Sequence, residues 1–331
     1  MEQYPASEQD PHQERVEYYK DQLFILEQKC HIPGGIITED IRQVGAEMLF
    51  EIYTKYGDPN SETYMLYHND QHTLNVLERC WVQAGIRKKE FPEEFSDKDY
   101  ILGMFGALGH DIARMTGGLP GEDERQSAQK TVTGYMRKLG FSEEDCRRVT
   151  EMIMTTEVTT ENGVVVQTNI QKGSTDKLKL ELAIADINGI AMEGIGRMVE
   201  DAFNLCLEVN RISPDDMLAN IDTIEKFFTM QAKFIEKRLD SLDGDFEYYY
   251  GDKATHMREV YEKAFTGATR HAKGAAHVLY RFPIIRRNSI RDALERANAY
   301  TGVGAEKLLV AREALAIWLT RLTPEEAAKQ M

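Results

Sequence analysis

The chain has 331 residues, 42% of them hydrophobic and 29% charged, and a net charge of −15. This is an ordinary globular composition, with enough apolar material for one large domain or two small ones. So large an acidic excess argues against a nucleic-acid polymer as partner. No apolar run approaches the roughly 18 residues that a helical membrane span needs. The first twenty residues are polar and mostly acidic, without the basic start and apolar stretch of a signal peptide, so a cytoplasmic location is expected.

The four cysteines, Cys30, Cys80, Cys146 and Cys206, lie far apart and form no CxxC pair. That disfavours a zinc-thiolate knuckle or a redox dithiol and leaves core packing as their expected role.

In chain order, the first dozen residues (1–12) read as a disordered terminus. Apolar periodicity and capping residues then predict helices over 13–30, 38–56, 69–86, 97–113, 123–139, 143–156, 176–209, 214–240, 253–272, 289–300 and 304–321. Ile101, Met104, Phe105, Leu108 and Ile112 form a helical stripe behind a Ser96-x-x-Asp99 cap, and Ser142-x-x-Asp145 repeats the pattern after Gly140. Ser213-Pro214-Asp215-Asp216 reads as a helix start. Glycines at 189, 194 and 196 weaken or bend the 176–209 segment. Glu161 to Thr175 holds a short valine run between turn residues and reads as a small hairpin or a flap. The expected fold is all-α, with a core over 13–210 and a helical extension, 211–331, packed on it. That extension is a possible surface for homo-oligomer formation.

Charge is uneven along the chain. From Ala264 to Arg312 there are nine Lys or Arg against three Asp or Glu. Arg281, Arg286, Arg287 and Arg291 are therefore candidates for meeting an anionic ligand, the alternative being a solvated helix face or a subunit contact.

Three short segments carry chemistry. Tyr67-His-Asn-Asp-Gln-His72 places two histidines four apart, on one face if the segment is helical. His110-Asp111 follows the apolar stripe; alone it is weak, because chance produces a His-Asp dipeptide in roughly half of chains of this composition. Asp186 sits in the apolar run Leu182-Ala-Ile-Ala-Asp-Ile187, where a carboxylate is costly unless paired or metal-bound. Together they supply two imidazoles and two carboxylates, a donor set suited to Zn, Mn, Fe, Co or Ni. Asp111, with two carboxylate oxygens, is a natural bridge to a second, harder ion such as Mg or Mn.

The order and context of these residues resemble the HD superfamily of metal-dependent phosphohydrolases. The Tyr-His-Asn-x-x-His run is similar to the signature of class I cyclic nucleotide phosphodiesterases. The match covers about residues 64–190. It implies an HD-domain-like helical bundle with one or two divalent ions on His72, His110, Asp111 and Asp186, and His68 as proton donor to the leaving oxygen. The implied reaction, with Asp111 and His68 as its catalytic residues, is hydrolysis of a phosphate ester of a nucleotide or similar small phosphorylated metabolite. Two further segments are similar: Glu124-Arg-Gln-Ser-Ala128, and Thr155-Thr156-Glu157. Tyr67, Asn69, Glu124, Thr156, Asn188, Arg286 and Arg287 are the expected substrate contacts. The chain departs from the phosphodiesterases at Arg114-Met115-Thr116, where they carry a further histidine, and in its ADING context around Asp186. No histidine lies between Asp111 and Asp186, unlike the di-iron oxygenases and cyclic-dinucleotide enzymes of the superfamily. Two other readings stay open: a nucleotide phosphomonoesterase, and a catalytically silent HD-fold ligand-binding or scaffolding module.

Overall fold

The computed structural model describes residues 10–114, 121–161, 164–187, 194–264 and 268–322. Among them the chain is helical apart from one two-stranded hairpin, as the periodicity requires. No described helix is long and apolar enough to cross a membrane. Backbone contacts group the chain into two compact units, Met1–Tyr64 with Asn69–Ile153 and Met65–His68 with Met154–Met331. Residue 210 falls inside the second unit, because the helix ending there packs on helices that follow it.

The first unit contains α1 (Pro11–Lys29), α2 (Glu39–Ile52), α3 (Asp70–Glu90), α4 (Lys98–Gly109), α5 (Glu122–Thr131) and α6 (Glu143–Met154). Asp10 caps α1 by accepting from the His12 amide at 3.1 Å, with Pro11 in the first helical position. Helical order thus begins two residues before the expected start at 13. The pairs α1–α2 and α3–α4 pack side by side, and α4 also lies against α2. Tyr19, Leu49, Leu77, Trp81, Tyr100 and Phe105 are fully buried among them. Removing such a side chain from water is worth roughly 1.5–3 kcal/mol. Trp81 satisfies its indole N–H on the Tyr100 carbonyl at 3.0 Å. Asp99 joins three helices, accepting from Arg87 of α3 at 2.8 Å and from Arg148 of α6 at 3.0 Å.

The Ser142–Asp145 cap forms as expected. The Ser142 amide donates to Asp145 Oδ2 at 3.1 Å, and the Asp145 amide donates to Ser142 Oγ at 3.2 Å. Burial alone would raise the Asp145 pKa. Lys98, 2.8 Å away, and Ser142 outweigh it and hold the carboxyl below its ordinary range. A depressed carboxyl stabilises the fold above its unfolded pKa and loses that contribution as pH falls through the folded value. Asp145→Ala is therefore expected to cost about 1 kcal/mol at pH 7. Denaturant melts at neutral and acidic pH check this: the gap from wild type should narrow in acid.

The second unit opens with β1 (Val158–Glu161) and β2 (Val164–Gln167), antiparallel, with Val158 opposite Gln167 and Thr160 opposite Val165. The hairpin starts three residues earlier than expected. Its helices are α7 (Lys177–Ile187), α8 (Ile195–Asn210), α9 (Ile221–Tyr250), α10 (Ala254–Ala264), α11 (Ala268–Arg281), α12 (Pro283–Ala299) and α13 (Gly304–Arg321). The long α9 is the hub, touching α8, α10, α11, α12 and β2, and α13 closes against α12 and α8. Phe203 and Phe228 meet edge to face at 4.9 Å where α8 crosses α9.

Several helices are shorter or displaced for local reasons. The expected 176–209 helix corresponds to α7 and α8, with 188–193 outside the described residues; Gly194, at φ +87°, stands outside helical space just before α8 begins. The 123–139 segment leaves α-helix after Thr131 for a π turn and a short 3₁₀ turn, closed by left-handed Gly140. Ser213 does cap a start, but of a 3₁₀ turn; α9 proper begins at Ile221 and runs ten residues past 240. The expected 253–272 helix corresponds to α10 and α11, with 265–267 outside the described residues. The last-but-one helix begins at Pro283 rather than 289, since proline is tolerated in the first turn.

Candidate metal centre

The Tyr67–His72 run changes structure halfway along. Asn69 is extended, and its side chain accepts from the amides of Gln71 and His72, each at 3.1 Å. It is the N-cap of α3. His72 therefore lies in the first turn of the helix, and His68 precedes the cap. The expectation that both histidines share one helical face is corrected: the segment is not helical at His68. Asp70 completes the start of α3, where a carboxylate complements the helix dipole. Tyr19 of α1 donates to it at 2.9 Å. Burial raises the Asp70 pKa, with Tyr19 and the backbone acting against that.

His110 and Asp111 also lie outside the helix expected over 97–113. α4 ends at Gly109, and residues 110–113 form a turn. The His110 Nδ1 lies 2.7 Å from the Ala107 carbonyl, so Nδ1–H donates there and Nε2 is directed elsewhere. The turn is pinned from α5. Ser127 Oγ accepts from the Ala113 amide at 3.1 Å and donates to the Ala113 carbonyl at 3.2 Å. The Tyr56 hydroxyl accepts from the Arg114 amide at 2.9 Å. Gly109 permits the close approach of α5: a Cβ there would lie 2.2 Å from Thr131 Oγ1 and 2.8 Å from Thr131 Cγ2. Gly109→Ala is expected to destabilise the fold by about 1–3 kcal/mol and to weaken metal retention by displacing His110. Thermal unfolding with and without added metal reads both effects.

These two pieces bring three side chains together. His110 Nε2 is 3.4 Å from His72 Nε2 and 3.1 Å from Asp111 Oδ2, and His72 Nε2 is 3.6 Å from Asp111 Oδ2. All three residues are buried, at 3%, 2% and 5% exposure for His72, His110 and Asp111. They are the group of described residues whose ligand atoms all lie within 4.8 Å of one another. Two imidazoles and a carboxylate oxygen, converging with little solvent between them, fit a divalent ion of borderline hardness. The outer oxygen of Asp111 accepts from Arg114 Nη1 at 2.9 Å. Glu124, from the Glu124–Ala128 segment, has a raised pKa. Burial is the main cause, with Asp111 and Asp123 adding to it and Arg114 opposing.

The remaining candidates belong to the second unit. His68 Nδ1 is 2.5 Å from Glu208 Oε1, and Glu208 Oε2 accepts from the amides of Tyr67 at 2.8 Å and His68 at 3.1 Å. Burial alone would raise the Glu208 pKa. The pairing with His68 and the two amides outweigh it, so the carboxyl sits below its ordinary range. The Tyr67 ring stands edge-on to the His68 ring, with centroids 4.7 Å apart. Thr156 is buried at 6% exposure beside Thr155, whose hydroxyl donates to the Lys179 carbonyl at 3.2 Å. Asp186 is on α7 and is partly exposed. Asn188 lies outside the described residues.

Arg286 and Arg287 have structural partners. Arg286 Nη1 donates to the Leu279 carbonyl near the end of α11 at 2.7 Å, and Nη2 pairs with Glu225 at 3.3 Å. Arg287 pairs with Asp222 at 2.9 Å and Glu225 at 3.4 Å. These ion pairs tie α12 to α9, and the local positive balance there is answered by acids from an earlier segment. Glu208 and Ser127 were not singled out in the sequence. Glu208 is 140 residues from its partner His68. Ser127 had a signal in its place within Glu124–Ala128, but not one that specified its contact.

No family model, no curated protein and no solved structure matches this chain.

Proposed function

We propose that the chain is a metal-dependent phosphohydrolase with an HD-domain-like bundle, acting on a phosphate ester of a nucleotide or similar small phosphorylated metabolite. The observation that carries the reading is the buried convergence of His72 Nε2, His110 Nε2 and Asp111 Oδ2. Asp186 is the proposed fourth ligand, on the strength of its sequence context. A divalent ion bound there supplies Lewis acidity toward a phosphoryl oxygen and lowers the pKa of water.

The chain's own residues have separable duties. The Ala107 carbonyl fixes the His110 tautomer so that Nε2 serves as the donor atom. Asn69 and the Tyr19–Asp70 pair hold the first turn of α3, and so His72, in place. His68 is the proposed general acid. Glu208 engages its Nδ1–H, which leaves Nε2 as the atom that passes a proton to a leaving oxygen. Buried carboxylate–imidazole pairs of this kind orient a catalytic ring and stabilise its protonated form as charge moves.

The test is a screen of cyclic nucleotides, nucleoside monophosphates and aryl phosphates, with Mn, Mg, Ni and Co supplied in turn to metal-stripped protein. Hydrolysis that requires a metal and disappears in the Asp111→Ala chain supports the reading, and the substrate profile separates monoesterase from diesterase. Retention of no metal, with no turnover on any ester, would favour a silent binding or scaffolding module instead.

A further inference from the structure

We propose that Arg114 is a built-in cation that confines the His72–His110–Asp111 centre to one metal ion. The inference rests on the metal-dependent reading above and concerns how many ions the site takes.

A carboxylate can bridge two ions only if each of its oxygens is available to one. In Asp111 the oxygens have different surroundings. Oδ2 faces the two imidazole Nε2 atoms, at 3.1 Å and 3.6 Å. Oδ1 accepts from Arg114 Nη1 at 2.9 Å. The Asp111 side chain is only 7% exposed, so water screens this pair little. A guanidinium keeps its charge at any physiological pH. It therefore stands where a second cation would have to bind, and it contributes part of the charge that such a cation would bring.

The position of Arg114 is fixed by more than that pair. Its amide donates to the Tyr56 hydroxyl at 2.9 Å, and the same hydroxyl lies 3.3 Å from its carbonyl oxygen. Ser127 clamps the preceding residue, Ala113, through both backbone groups. On the other side Asp123 lies 3.8 Å from Arg114 Nε. Glu124 is electrostatically coupled to Arg114, Asp111 and Asp123. One guanidinium thus faces two carboxylates, Asp111 and Asp123. Without it, Asp111 Oδ1 loses the cation that occupies it and becomes available to a hard divalent ion.

The experiment uses the full chain, stripped with a chelator, dialysed to equilibrium against excess Mn2+, and read by elemental analysis and electron paramagnetic resonance. Wild type is expected to hold one Mn per chain with an uncoupled signal. Arg114→Gln is expected to hold two, with a spin-coupled signal, and Arg114→Lys, which keeps a positive charge, to remain at one. Two coupled ions in wild type would overturn the inference while leaving the metal reading intact, and so would a single ion in the Arg114→Gln chain. No bound Mn in wild type would overturn the metal reading itself. Arg114 is a quarter exposed, and both variants should fold.

Discussion

Replacing Asp111 by Ala should remove metal-dependent turnover and lower metal affinity by at least two orders of magnitude. The magnitude follows from comparison: losing even an outer partner of a metal ligand costs about 10–100-fold in affinity or activity, and Asp111 is a proposed ligand itself. It offers one oxygen to the imidazole pair and the other to Arg114. The truncation also leaves the Arg114 guanidinium without its short ion pair beside two buried imidazoles. Some loss of stability will accompany the loss of metal, and Asp111→Asn is the cleaner variant because it keeps the side chain's volume. Elemental analysis and turnover on the same preparation are the measurements. An Asp111→Asn chain that held metal stoichiometrically and turned over normally would contradict the role assigned here.

His68→Ala is expected to behave differently. Metal content should be unchanged, while turnover falls by about 10²–10⁴, the usual contribution of a positioned general acid. Glu208→Gln should move turnover in the same direction by a smaller factor. The amide keeps one oxygen, which can accept either from His68 or from the two backbone amides but not from both, and it has no charge to stabilise an imidazolium. Glu208 also links the pair to pH. Its pKa is depressed in the fold, so its stabilising contribution is present above the ordinary glutamate range and is lost as pH falls through the depressed value. The Glu208→Gln chain should be less stable at neutral pH by about 1–3 kcal/mol and should show a shallower loss of stability on acidification. Equal turnover in wild type and His68→Ala, at equal metal content, would remove His68 from the mechanism.

How much of this was legible in the sequence depends on the range of the interaction. Helix content was, because apolar spacing such as Met104, Phe105 and Leu108 directly encodes a buried face. The association of His72 with His110 and Asp111 was legible in residue type and in the resemblance of their contexts to the HD superfamily, since those residues together suit one metal. Local geometry was harder. Asn69 falls at the start of the helix expected over 69–86, and only its extended backbone shows that it is the cap, which places His68 outside the helix. Gly109 reads as one more small residue of a helix, yet the close approach of Thr131 accounts for it. The long-range pairings were not legible. Glu208 reaches His68 from α8, and Glu225 and Asp222 reach Arg286 and Arg287 from α9. Nothing in the spacing of a single chain encodes such contacts, because they arise from packing between helices far apart in sequence. The positive balance over 264–312 illustrates the same point: a linear charge count cannot see that acids of α9 neutralise part of it.

The central claim is that His72, His110 and Asp111 hold a metal ion, and crystals of the full chain grown with Zn2+ test it most directly. Anomalous difference density is expected as a peak about 2.0–2.2 Å from His72 Nε2, His110 Nε2 and Asp111 Oδ2. Density elsewhere on the chain with none among these three atoms, at full occupancy of zinc in the crystal, would contradict the account.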